Sequence, residues 1–107
     1  MAKLTGKLGS VDAATAATVY AAYTVPSGTY AVANIRCTNR LNQDQTVRVG
    51  VGSNAPGAAD YIEYDRSIPA FGVLEDTGIA MSANEIVTVR ASAGSVSVRV
   101  HGYQKDV

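Results

Sequence analysis

Residues able to do chemistry are few. His101 is the single histidine and Cys37 the single cysteine of the 107-residue chain. A zinc site needs several thiolate or imidazole ligands, and one cysteine excludes both an internal disulfide and an all-cysteine metal site. Cys37 reads as a small buried residue instead. Asp60, Glu63 and Asp65 cluster, and three carboxylates close together can hold calcium. Their spacing is not that of a known calcium loop, and Arg66 sits beside them. Gly50-Val51-Gly52-Ser53-Asn54-Ala55-Pro56-Gly57 is glycine-rich but lacks the Lys-Ser or Lys-Thr of a phosphate loop, and no helical pattern follows it. The expectation is a protein that is not an enzyme, with no catalytic residue, metal ligand or cofactor.

Bulk properties narrow the partners. Nine Lys and Arg balance nine Asp and Glu, so no net field draws in nucleic acid or an anionic membrane. The basic residues are scattered singly, without an aromatic platform beside them. No apolar run approaches the roughly 20 residues of a spanning helix. Met1 to Gly9 carries two lysines but no continuous apolar core after them, unlike a secretory signal. No nucleic-acid or membrane partner is expected, nor export through a membrane. Ala, Val, Gly, Ser and Thr dominate, which suits short strands packed closely. Six tyrosines supply most of the aromatic bulk and suit the rim of a core or a contact surface.

Strands must position whatever site exists. Ser95 to His101 alternates strictly, with Val96, Val98 and Val100 on one face and Ser97, Arg99 and His101 on the other. Ile86 to Arg90 alternates as well, and Ala91-Ser92-Ala93-Gly94 between them predicts a hairpin. A hairpin cannot hide its valines alone, so the rest of the chain must supply an opposing layer. Further strands are expected at Ala17–Val25, Tyr30–Thr38, Gln45–Gly52, Tyr61–Asp65, Val73–Thr77 and Ile79–Met81, the last two parted by Gly78. Ala31, Ala33, Ile35 and Cys37 share one face, and Val47, Val49 and Val51 point inward. In Tyr61–Asp65 the preferred choice puts Ile62 and Tyr64 in the core and Tyr61, Glu63 and Asp65 outside. About eight short strands with frequent turn signals predict an all-β fold, a single-domain antiparallel β-sandwich of jelly-roll or Ig-like type. Residues 15–107 form that domain. Residues 1–14 show no clean period and read as an extended N-terminal arm, either frayed or ordered against a neighbouring subunit.

The run Asp60-Tyr61-Ile62-Glu63-Tyr64-Asp65, then Ile68-Pro69, Gly72-Val73-Leu74-Glu75 and Thr77-Gly78-Ile79, resembles small virion structural proteins of tailed bacteriophages. The resemblance extends through Ala33-Asn34-Ile35-Arg36-Cys37-Thr38-Asn39-Arg40 and Ser95 to Tyr103, about three quarters of the chain. It departs at Phe71, where the Pro-Ala-X-Gly turn of that pattern usually carries a small residue, and so adds an apolar group at a loop tip. The resemblance implies a non-enzymatic particle component, located in the virion and assembled in the host cytoplasm. A capsid decoration (cement) protein is the leading expectation, acting as a homo-oligomer against major capsid or tail proteins. A tail, neck or baseplate component is the alternative within that class. A carbohydrate- or host-receptor-binding sandwich is the alternative outside it, kept alive by the tyrosines and weakened by the absence of tryptophan. Apolar side chains at the arm, loops and rim are the candidate partner contacts: Leu4, Leu8, Tyr61, Phe71 and Tyr103.

Overall fold

A computed structural model describes residues 3–107, with side chains from residue 5 onward. Its strands are β1 (Lys3–Ala13), β2 (Val19–Thr24), β3 (Thr29–Asn39), β4 (Gln45–Gly52), β5 (Tyr61–Ile68), β6 (Val73–Met81), β7 (Ile86–Ala91) and β8 (Val96–Asp106). One 3-10 turn, Ala58–Asp60, precedes β5. Alternation explains the strands best where burial is cleanest. In β3 every second residue from Thr29 to Asn39 is buried, and in β8 Val96, Val98 and Val100 are.

Two antiparallel four-stranded sheets stack as a sandwich, with strand orders β1-β8-β3-β6 and β2-β7-β4-β5. The pairs β1–β8, β2–β7, β3–β6 and β4–β5 show how this order arises. The chain is one long hairpin, turned at β4–β5, whose two arms stay paired while the whole is rolled over. β3–β8 and β4–β7 contacts close the roll. This is the jelly-roll order, two Greek keys in a double sheet. Of the two sandwich types expected, it is the jelly-roll type.

The expected hairpin of residues 86–101 is not formed. Both strands exist, but β7 lies in one sheet and β8 in the other. Val87, Val89 and Ala91 face Val96, Val98 and Val100 across the core, so the two apolar faces cover each other. Side-by-side pairing would leave both faces wanting the same cover. The chain changes sheets through Gly94 (φ +81) and Ser95 (φ 56), two consecutive left-handed residues. A Cβ on Gly94 would run into the carbonyl of Ala14, so this crossing needs glycine twice over.

Three further expectations change. The segment expected as an arm is extended, but it lies along β8 of its own chain as β1, an edge strand. Its alternation was hidden by a bulge between Lys7 and Gly9, which puts Leu8 out of register. The two strands expected on either side of Gly78 are one strand, β6, since Gly78 (φ +66) sits in a bulge and donates to Asn34 Oδ1 at 2.9 Å. In β5 the faces are reversed. Val49, fully buried, pairs with Glu63, which therefore points inward, whereas Ile62 and Tyr64 are 40% and 59% exposed. A bulge around Tyr64–Asp65, with Asp65 at φ 53, restores Ile68 to the core.

The core is built from small and β-branched side chains. Ile35, Ile68, Val25, Val47, Val49, Val87, Val89, Val96 and Val100 are its largest fully buried members. One end of the sandwich carries the turns 40–44, 69–72 and 92–95, and the other carries the turn 25–28, the start of β1 and the end of β8.

Candidate functional site

The end of the sandwich bearing Phe71 is held by two buried amides. Asn39 ends β3 and Gln45 begins β4, and they are 0% and 5% exposed. Asn39 Nδ2 donates to the carbonyls of Gln43 (2.8 Å), Ile68 (3.3 Å) and Pro69 (3.1 Å). Asn39 Oδ1 accepts from Leu41 N (3.0 Å) and Gln45 Nε2 (2.7 Å). Gln45 Nε2 also donates to Gly94 O (2.8 Å), and its Oε1 accepts from Ala93 N (3.0 Å). Three separate turns are thereby tied to one pair of side chains, and each buried amide atom finds a partner.

On this frame stands Phe71, 65% exposed. Gly72 N donates to Pro69 O at 2.8 Å, and of the two central residues only Phe71 has positive φ (55°). That is the type II pattern, whose third position ordinarily takes glycine or asparagine. A bulky side chain there is an outlier. The turn is kept in place by Phe71 N to Leu41 O (3.1 Å), Ala70 N to Asp44 Oδ1 (3.0 Å) and Asn39 N to Gly72 O (2.9 Å). The fold thus spends local strain to hold an aromatic ring in water.

The other expected contacts are not gathered around it. Tyr103, 38% exposed, lies on the outer face of β8 toward the opposite end, edge-on to Tyr30 with ring centroids 6.3 Å apart. Tyr61 is half-buried and edge-on to Tyr64 at 5.1 Å. Leu8 packs against the core instead of projecting from an arm, because the β1 bulge turns it there. Leu4 pairs with Gln104 through the backbone, and its side chain lies outside the described residues.

The exposed residues on β5 that alternation missed are Ile62 and Tyr64. Arg48 lies 4.1 Å from the Tyr64 ring centre and bonds Asp65 at 2.7 and 3.2 Å. That bond holds the Asp65 carboxyl below its usual range and raises Arg48. A strand reading Tyr-Ile-Glu-Tyr-Asp offers an aromatic or aliphatic group on either face, so only the partner strand decides.

The acidic cluster disperses. Asp60 Oδ2 accepts from Gly57 N at 2.9 Å, Asp65 faces outward to Arg48, and Glu63 faces in. Glu63 meets Asp76 of β6 between the two sheet edges, with Arg66 3.5 Å from Glu63. Asp76 Oδ2 is buried without a hydrogen-bond partner among the described residues. Two carboxyl groups share a hydrogen bond only if one is protonated. Desolvation, then the bond to Glu63, pushes Asp76 up to about 6. Behind them the Cys37 thiol is pushed up to about 12, first by burial and then by these two carboxylates. It stays protonated and unreactive at neutral pH. His101 is half-buried, with Nε2 4.0 Å from Glu75 and Nδ1 without a hydrogen-bond partner among the described residues. Among the described residues no group of three or more His, Cys, Asp or Glu could hold a metal ion.

The geometry presents surfaces: a strained aromatic tip, an aromatic edge at β5, and a charged outer sheet face. No family model matches this chain, and no curated protein is significantly similar to it.

Proposed function

We propose that this chain is a structural protein of a tailed-bacteriophage virion, a decoration (cement) protein that binds the capsid through the Phe71 end and stabilises the particle. The observation that carries this reading is Phe71 itself, 65% exposed on a positive-φ backbone that its own fold over-determines. Strain of that kind persists where something uses it. The sequence resemblance to virion proteins supports the same reading, as does the jelly roll, an architecture frequent in viral capsid and lectin domains. Fold alone does not assign function. Inserting the ring into an apolar pocket of a capsid subunit contributes about 1–2 kcal/mol per copy, given its existing partial cover. Alone that is weak. Copies repeated over a symmetric shell bind at high effective concentration and hold together.

The test is electron cryomicroscopy and quantitative mass spectrometry of purified particles of the phage that encodes the chain. Density on the shell, copies by the hundred and a Phe71→Ala variant that dissociates roughly tenfold more readily are expected. A few copies per particle would move the protein to the tail, neck or baseplate, and its absence from particles would end the proposal.

A further inference from the structure

We propose that the outer face of β1, β8 and β3 is a docking groove for an extended acidic segment of a partner protein. A groove of about 510 Å³ crosses this face, lined by Lys7, Ser10 and Asp12 of β1, Ser97 and Arg99 of β8, and Arg36 and Thr38 of β3. Arg36 and Arg99 are direct cross-strand partners, and Lys7 stands opposite His101. Like charges directly opposite each other destabilise a sheet, so this register favours an anion between them. Arg36 has one distant carboxylate, Glu75 at 3.8 Å, and Lys7 and Arg99 have no ion pair among the described residues.

The chain is neutral, but its charge is segregated. Lys7, Arg36, Arg40, Arg99 and Lys105 stand on this face against Asp12 and Glu75, five cations to two carboxylates. Asp12 is already held by Arg40 at 2.9 Å, and Arg40 also donates to Ser97 Oγ at 2.7 Å, which closes one side of the groove. The serine and threonine hydroxyls of the floor are donors for a carboxylate, and the guanidinium groups above them suit paired carboxylate oxygens.

The face continues along β8 to a second cleft of about 320 Å³ framed by Tyr30, Tyr103, Thr5 and Lys105. Arg99 and Tyr103 are roughly 13 Å apart along the strand, at about 3.3 Å per residue. An extended segment with carboxylates over the Arg36–Arg99 pair therefore offers an apolar side chain to the tyrosine cleft about four residues further on. Nucleic acid fits less well, because among the described residues no aromatic lines the basic groove to stack a base.

Fluorescence anisotropy tests this with a labelled peptide of sequence Asp-Glu-Asp-Glu-Ala-Ala-Leu and, separately, a labelled single-stranded oligothymidylate. Saturable peptide binding that weakens with rising salt is expected. The double variant R36Q/R99Q should bind the peptide at least roughly tenfold more weakly while melting no lower than the wild type, since the like-charge pair is relieved. R90Q, which removes an arginine from the other sheet, should bind as wild type does. Equal peptide binding by R36Q/R99Q, no peptide binding by the wild type, or tighter binding of the oligonucleotide than of the peptide each overturns the proposal.

Discussion

Replacing Asp76 with Asn should stabilise the protein at neutral pH and leave it nearly unchanged in mild acid. Folding raises the Asp76 pKa from the ordinary value near 3.8 to about 6, so the folded state binds this proton more tightly than the unfolded chain does. Stability from this group is fully present below about pH 4 and is lost as pH rises through about 6. Converting the whole shift gives about 3 kcal/mol. Asp76 sits at the sandwich edge beside Arg66 and keeps some contact with solvent, so roughly 1–2 kcal/mol is expected. Asn removes the charge and still offers an N–H to Glu63. Guanidinium unfolding at pH 4 and pH 7.5, for wild type and D76N, gives the comparison. The variant should match wild type at the lower pH and exceed it by that amount at the higher. The Arg48–Asp65 bond works in the opposite direction, being lost only as pH falls below the ordinary carboxylate range, so the two do not overlap. Equal stabilities at pH 7.5 would mean that Asp76 ionises without penalty, and the shared-proton account would be wrong. A variant less stable than wild type at pH 7.5 would reverse its sign.

Two other outcomes follow from the Phe71 end. Asn39→Ala strips donors and acceptors from two turns and from the Gln45 amide and should cost about 2–4 kcal/mol in urea unfolding, with faster hydrogen exchange at the Leu41 amide. A loss under about 1 kcal/mol would show that water replaces the amide readily. Phe71→Asn suits the left-handed backbone and should raise stability by roughly 1 kcal/mol while weakening attachment to particles. A variant that is both less stable and equally well attached would remove Phe71 from the role given to it.

Local pattern carried the strand faces and failed on their partners. Gln45–Gly52 and the buried faces of β3 and β8 were legible because alternation is a property of one strand. Which strand lies beside which is a long-range matter, and nothing in Ile86–Val100 distinguishes two strands paired edge to edge from two stacked face to face. β1 was unreadable because Thr5 and Lys7 before the bulge, and Ser10 and Asp12 after it, keep opposite phases. β5 was misassigned because its inward position holds Glu63, a carboxylate where alternation looks for an apolar residue. Phe71 was found from sequence as an apolar residue at a turn. The basic groove was not, because a balanced sum of charges conceals their placement on one sheet face.

The rolled hairpin brings Lys3 beside Lys105 and bonds Val107 N to Gly28 O, at the far end of β3 from Phe71. With a long axis of 44 Å, the molecule therefore has two poles of different character. A passenger protein or fluorophore fused at residue 107 would leave from the pole opposite the aromatic tip. If that tip grips a shell, the passenger would stand outward from it, which makes this chain a one-sided adaptor for display.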